Sequence, residues 1–180
     1  MRPLYSPVTA SPPATTAYDD YAGIDVKDKY VLILRDEPQE NDPKSVFAGR
    51  DTTTHATFAI KAVNAKMHGA RGVIIVNDAF HHPGERDALL AFGRADGPTD
   101  AGVFFVQVTA KTAGQWLKPT GKTLSGLIES IDKDLKPQSF EIPNLNVSLN
   151  VEMTREQKPA SNVSPICPVK PTSNVIIGAH

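Results

Sequence analysis

The chain has 180 residues, and its hydrophobic fraction of 40% and charged fraction of 22% are ordinary for a globular protein with its own core. Nineteen basic and twenty acidic residues leave a net charge of -1, which gives no indication of the strongly basic character that attracts nucleic acids or anionic membranes. We therefore expect neither of them as a partner. The single cysteine, Cys167, excludes a disulfide within the chain.

The first elements predicted along the chain are a leader, a strand and a loop. Residues 1–17 are rich in proline, serine, threonine and alanine, which predicts a flexible leader that buries little surface and can be removed. No apolar segment typical of a secretory signal is present there. The ordered domain is then expected to begin near Tyr18. The apolar run Tyr30–Leu34 predicts a buried strand, and the charged segment 36–49 predicts a loop.

A helix is predicted between Thr52 and Gly69. Threonines at its start offer a hydroxyl group to cap it, and Gly69 stands where a left-handed residue commonly ends a helix. Lys61, Asn64 and Lys66 are expected on its exposed side. Apolar residues recur at helical spacing and are expected to face the core: Ala56, Ala59, Ile60, Val63 and Met67.

The middle of the chain predicts two more buried strands, Val73–Val76 and Val103–Val108. The intervening segment 79–102 is polar and contains several glycines and prolines, so it predicts a long loop. Three aromatic residues are expected in the core: Phe104, Phe105 and Trp116.

The later elements are a helix, an ambiguous segment and a strand. Thr109 can cap a short helix that runs to Lys118. Residues 124–131 have helical spacing, but Gly126 leaves a strand open as the alternative. Apolar and polar residues alternate over 145–153, which predicts an amphipathic strand with one wet face.

Three stretches of the sequence resemble a known family. Residues 21–34, YAGIDVKDKYVLIL, are similar to the opening of the protease-associated (PA) domain of M28-type zinc aminopeptidases, with Asp28 in place of a customary glycine. Residues 61–78, KAVNAKMHGARGVIIVND, resemble the helix, Gly-Ala turn and strand of that domain. Residues 161–163 and the stretch VIIGAH over 175–180 resemble strands that open the peptidase domain, although the connection between them departs from the family pattern.

The resemblance implies an α+β, β-rich fold of the PA type, a swivelling β/β/α arrangement with mixed sheets and two or three flanking helices. It divides the chain into the leader 1–17, a PA-like domain over 18–158 and the start of a peptidase domain over 159–180. It further implies a non-catalytic accessory role, which shapes substrate access or partner binding for a zinc aminopeptidase. The partner would be a peptide or protein substrate, or the peptidase domain itself, in a secreted or periplasmic location.

His180 matches the first zinc-ligand position of that family. We expect the chain to be a fragment that stops at this ligand, because the other zinc ligands and the general base would follow it. The chain is then expected to contain no catalytic residue and no cofactor, zinc belonging to the parent enzyme. A second group of potential ligands is expected to lie in a solvated loop: Asp78, His81, His82, Glu85 and Asp87.

Two other functions remain open. One is a small hydrolase, esterase-like, that uses a serine, a central histidine and an aspartate, although no motif spacing supports it. The other is a stand-alone module that binds peptides without turnover. For any binding role, the loops over 36–51 and 79–102 are the expected contact regions. His55 and His68 flank the predicted helix and are expected to be ordinary helix-end residues.

Overall fold

A computed structural model gives the fold for part of the chain. The described residues are 2–8, 18–47, 51, 53–91, 101–152, 166–169 and 173–176. The chain forms two compact units, residues 1–148 and 149–180. In the second unit, two strands form an antiparallel pair: β6 (Ile166–Val169) and β7 (Ser173–Ile176).

The first unit contains one five-stranded sheet and three α-helices among its described residues. The strands are β1 (Arg2–Val8), β2 (Tyr30–Leu34), β3 (Gly72–Val76), β4 (Phe104–Val108) and β5 (Phe140–Val147). The helices are α1 (Phe58–Met67), α2 (Ala110–Leu117) and α3 (Leu124–Asp134). The strand order is β4-β3-β2-β1-β5, with β1 to β4 parallel and β5 antiparallel to β1. The predicted α+β class is confirmed.

Two interior strands of the sheet, β2 and β3, are buried at every residue. Continuous burial is typical of parallel strands that are covered on both faces, and it explains why their sequences are unbroken apolar runs. Val31 and Ile33 pack in one core cluster with Ala65 of α1. Because successive side chains of a strand alternate between faces, Leu32 contributes to the core on the other face.

The predicted leader is wrong for residues 2–8, which form β1 between β2 and β5. Proline lacks the N–H group that a strand donates to its neighbours, so two prolines argue against an interior strand. Irregular pairing accommodates these residues, since the register with β5 shifts between Pro3 and Leu4 and the register with β2 shifts between Tyr5 and Val8. The rest of the predicted leader, residues 9–17, lies outside the described residues.

The ends of α1 agree with the sequence prediction to within a few residues. A single 3-10 turn at Thr54–Ala56 precedes the helix, and the hydroxyl of Thr57 accepts the N–H of Ile60 as its N-cap. The helix ends at His68, and Gly69 follows with a φ of 81°. That positive φ is the left-handed conformation predicted for this glycine.

Gly69→Val is expected to lower the free energy of unfolding by about 1–3 kcal/mol, because a β-branched residue is strained at positive φ. Lys66→Ala, one turn earlier on the exposed side of α1, is the control and is expected to leave stability within about 0.5 kcal/mol. Urea denaturation measures both. Equal midpoints for the two variants would contradict this helix end.

The buried face of α1 is not the predicted one. Ala62, Ala65 and Lys61 are buried, whereas Ile60 and Val63 are each 40% exposed and Met67 is 80% exposed. The small alanine side chains let the helix lie close to the sheet. The ammonium group of the buried lysine has hydrogen-bond partners in another segment of the chain, so the sequence around it does not predict its burial. The predicted placement of Lys61 on the exposed side is therefore wrong.

The remaining elements confirm some predictions and correct others. Thr109 caps α2, and residues 124–134 are a helix rather than the alternative strand. The predicted strand over 145–153 instead begins at Phe140 and ends at Val147, which pairs with Arg2, the first residue of β1.

The aromatic residues are less buried than expected. Phe104 is exposed at the edge of the sheet, and Phe105 and Trp116 are only partly buried. The polar loop prediction holds for residues 79–91, which form turns and irregular structure, and residues 92–100 lie outside the described residues.

Candidate binding site at the carboxyl edge of the parallel sheet

Two loops leave the parallel sheet at the same edge. Residues 35–47 follow β2 and residues 77–91 follow β3, and parallel strands direct their carboxyl ends to one side. In open sheets of this kind, ligands bind at that edge. The loops carry most of the chain's described titratable side chains with shifted pKa values, which makes this edge the candidate functional region.

Lys61, on α1, holds the start of the first loop, residues 35–47, through hydrogen bonds. Its Nζ donates hydrogen bonds to the backbone oxygens of Leu34, at 2.8 Å, and Asp36, at 2.6 Å. Burial lowers the pKa of Lys61 to about 8, against the opposing charges of Asp20, Asp36 and Glu37 among others. The buried ammonium group therefore determines where the chain turns after β2.

Glu37 anchors the same loop to the start of the α1 region. Its carboxylate is buried and accepts the backbone N–H of Thr53 at 3.0 Å and the Thr53 hydroxyl at 2.5 Å. Both carboxylate oxygens are thus used in structural hydrogen bonds. This buried acid is part of the scaffold of the site rather than a group free to react.

His81 links three segments of the chain. Its Nδ1 lies 2.5 Å from Oδ2 of Asp78, and its Nε2 lies 2.5 Å from Oδ2 of Asp132 on α3. The other oxygen of Asp132 accepts the backbone N–H of Gln39 at 2.9 Å. Burial acts to lower the pKa of His81, but hydrogen bonds and charges from Asp132 and Asp78 raise it to about 10. His81 is therefore an imidazolium held between two carboxylates.

Asp78 is the more buried of these two carboxylates. Its Oδ1 accepts the backbone N–H groups of Phe80, at 2.8 Å, and His81, at 3.1 Å. Burial acts to raise the pKa of Asp78, but the hydrogen bonds from His81 and Phe80 outweigh it and lower that pKa. The turn that carries the two adjacent histidines is consequently well ordered by its own hydrogen bonds.

His82 faces a different set of acids. Its Nε2 lies 2.7 Å from Oε1 of Glu40 and 3.6 Å from Oδ2 of Asp36, and its Nδ1 lies 3.3 Å from Oε1 of Glu85. Burial and the charge of Asp36 raise the pKa of Glu40 despite the opposing charges of both histidines. One ligand atom each of Asp36, Glu40 and His82 lies within 4.8 Å of the others, so these three residues could hold a metal ion.

Two open grooves flank the histidines. The larger, of about 480 Å³, lies between the first loop, Phe80 and α3. Its lining residues are Gln39, Asn41, Asp42, Phe80, His81, Glu129, Asp132 and Lys133. The smaller, of about 280 Å³, lies along residues 77–91 and includes His82, Glu85 and Arg35. Phe80 is 42% exposed and offers an apolar surface in the larger groove.

The five residues that were predicted to form one group of potential ligands have different partners in the structure. His81 and Asp78 bind each other, and the His81 side chain is only 8% exposed, so the expected solvated loop is wrong for this residue. Glu85 contacts His82. Asp87 instead accepts the N–H groups of Ala110 and Lys111 at the start of α2, away from both histidines.

The helix-end histidines behave as predicted, while the family zinc position is not described. His68 caps α1 and stacks on Tyr21 with ring centroids 4.1 Å apart, and His55 lies in the 3-10 turn before the helix. His180 lies outside the described residues. The sequence does not reveal the roles of Asp36, Glu40 and Asp132, because the histidines that they face lie dozens of positions away along the chain.

Comparison with known families defines the class of this protein. The PA domain family model matches residues 3–116, well over half of the 180 residues, and its first matched residues fall in β1 rather than at Tyr18. The chain therefore belongs to the PA domain family, whose role is that of an accessory domain associated with proteases. Comparisons with curated proteins and with solved structures gave no significant match.

Membrane insertion by a helix finds no support in the described part of the chain. Its longest helix, α3, has 11 residues, and none of the described helices is long and apolar enough to cross a bilayer.

Proposed function

We propose that this PA domain is a non-catalytic module that binds a peptide segment at the carboxyl edge of its sheet and shapes substrate access for a zinc aminopeptidase. The observation that carries the proposal is the open groove between the first loop, Phe80 and α3. The aminopeptidase assignment derives from the resemblance of residues 21–34 and 61–78 to the PA domains of those enzymes.

The chemistry of the groove favours a peptide with a positively charged end. Asp42, Glu129 and Asp132 supply carboxylates, whereas Lys133 and the charged His81 supply positive charges. Because Asp132 already pairs with His81, the carboxylates of Asp42 and Glu129 are the ones that would receive a ligand ammonium group. An aminopeptidase substrate carries such a group at its free amino terminus.

The contacts of the histidines favour binding over hydrolysis. A serine hydrolase needs a histidine nitrogen that can accept the serine proton. Both nitrogens of His81 lie 2.5 Å from carboxylate oxygens, and both nitrogens of His82 face carboxylates. His81 and His82 are therefore poorly disposed to act as a general base for serine.

A short fluorescent peptide with a free amino terminus is expected to bind the purified chain saturably, measured by fluorescence anisotropy. Phe80→Ala is expected to weaken binding by about fivefold or more, as for other exposed aromatic anchors. Leu89→Ala, an exposed apolar residue beside the other groove, is the matched control and is expected to bind normally. An N-acetylated peptide is expected to bind more weakly, because it lacks the ammonium group.

Two results would contradict this function. Absence of saturable binding for a panel of peptides would reject the groove as a peptide site. Turnover of an aminoacyl anilide or a p-nitrophenyl ester by the purified chain would favour the hydrolase alternative. The aminopeptidase link is tested separately: the chain, added to an M28-type aminopeptidase that lacks a PA domain, is expected to change its relative rates on short and long peptides.

A further inference from the structure

We propose that Asp36, Glu40 and His82 form a binding site for a divalent transition-metal ion, with zinc as the best match, which clamps the two loops at the sheet edge. The site does not depend on the proposed peptide binding, since none of the three residues lines the larger groove. It also differs from the family zinc position at His180. It revises the expectation that the chain holds no metal.

The set of ligands has the composition of a zinc site. One imidazole nitrogen and two carboxylate oxygens lie within 4.8 Å of one another, close enough for a single ion to contact all three. Zinc binds histidine nitrogen and Asp or Glu oxygen, commonly with three protein ligands and a water molecule in the fourth position. Mg²⁺ and Ca²⁺ prefer oxygen ligands alone, so the imidazole favours a transition metal.

An independent observation concerns Nε2 of His82. This nitrogen is inaccessible to solvent and has no hydrogen-bond partner, although Oε1 of Glu40 is only 2.7 Å away. The carboxylate is therefore close to the nitrogen but outside the direction in which an N–H group would donate. A metal ion bound by both atoms, after they move slightly apart, would provide a bond for the nitrogen and would balance the charges of Glu40 and Asp36.

The second nitrogen of the same ring supports this assignment. Nδ1 of His82 lies 3.3 Å from Oε1 of Glu85, on the other side of the imidazole. Metal-bound histidines commonly donate their second N–H group to a carboxylate, which directs the lone pair of the first nitrogen to the metal. Glu85 and His82 also line the smaller groove, which opens this side of the imidazole to solvent.

Neighbouring contacts hold the ligands in place before any ion binds. The backbone oxygen of Asp36 accepts a hydrogen bond from the buried Lys61. His82 directly follows His81, which is held between Asp78 and Asp132. Arg35 is the competing cation, since its Nε lies 3.6 Å from Oδ2 of Asp36. A site supported in this way loses little conformational freedom on binding a metal.

The test is calorimetric titration of the full chain with Zn²⁺ after treatment with a chelator, with the visible spectrum of bound Co²⁺ as a second readout. We expect one zinc ion per chain. His82→Ala and the nearly isosteric Glu40→Gln are expected to weaken binding by about tenfold or more, since even outer partners of a metal site cost 10–100-fold. Excess Mg²⁺ is expected not to compete.

Matched histidine controls assign the metal to this site. His55→Ala and His180→Ala are expected to bind zinc like the wild type, and circular dichroism checks that every variant is folded. Arg35→Gln is expected to tighten binding, because it removes the competing cation. Zinc binding that survives His82→Ala and Glu40→Gln, that is lost on His180→Ala, or that is absent from the wild type would overturn the proposal. Peptide binding to the larger groove is measured with the chelator present, so that the zinc result and the peptide result can be judged separately.

Discussion

Replacing Lys61 with methionine is expected to lower the free energy of unfolding by about 3–5 kcal/mol, the cost of removing one partner from a buried charge network. Methionine preserves most of the volume of the lysine side chain but has no ammonium group. The backbone oxygens of Leu34 and Asp36 would lose their donor, and the buried carboxylate of Glu37 would lose a nearby positive charge. Because Lys61 joins α1 to the end of β2, the loss affects the centre of the sheet.

Lys66→Met is the matched control, since it makes the same change on the exposed side of the same helix. It is expected to alter stability by no more than about 0.5 kcal/mol. Urea denaturation at neutral pH compares both variants with the wild type. If Lys61→Met unfolds at the wild-type urea concentration with an unchanged slope, the buried network contributes nothing and this account of α1 is wrong.

The pKa of Lys61 gives a second measurable prediction, the pH dependence of its contribution to stability. Burial lowers this pKa from 10.5 to about 8 in the folded protein. Between these two values the unfolded chain retains a proton that the folded chain has lost, so the contribution of Lys61 to stability rises with pH. Lys61→Met is expected to lack that rise. The stability difference between wild type and variant should therefore grow from about pH 8 to about pH 10.

Replacing His81 with glutamine is expected to lower the free energy of unfolding by about 2–4 kcal/mol, because two partly buried carboxylates lose the cation between them. The side chain of Asp78 is 4% exposed and that of Asp132 is 20% exposed, so solvent screens only the second of them appreciably. His55→Gln, in the 3-10 turn, is the matched control and is expected to change stability little. Thermal unfolding at about pH 6 measures both variants.

The effect of His81 is expected to depend on pH in the opposite direction from that of Lys61. Its folded pKa of about 10 exceeds the ordinary value of 6.5. The stabilisation is therefore fully present below pH 6.5 and is lost as the pH rises through about 10. The stability difference between wild type and His81→Gln should shrink over this range, and a difference that stays constant would mean that His81 is not a charged link. Both proteins retain Lys61, so its titration cancels in the comparison.

Both predictions concern residues that hold the loops at the carboxyl edge of the parallel sheet. Lys61 holds the start of the first loop, and His81 joins the second loop to α3. The proposed groove and the proposed metal site both lie on this framework. Loss of either residue is therefore expected to weaken peptide and zinc binding indirectly, which is why neither is used to test those sites.

Local sequence determined the strands β2, β3 and β4, the capping threonine of α2 and the left-handed Gly69. Each of these depends on hydrophobic runs or on backbone preferences within a few residues, which a linear pattern records. The similarity of residues 21–34 and 61–78 to PA domains likewise predicted the family that the comparison with residues 3–116 then showed.

Only the tertiary structure decided the position of β1, the buried face of α1 and the partners of the adjacent histidines. Residues 2–8 become a strand because β2 and β5 supply hydrogen-bonding partners on both sides, which their proline-containing sequence does not reveal. Lys61 can be buried because backbone oxygens and carboxylates from other segments surround it. His81 meets Asp132 across 51 positions of sequence. The free energy of burying a charge depends on partners that folding brings together, so it cannot be inferred from neighbouring residues alone.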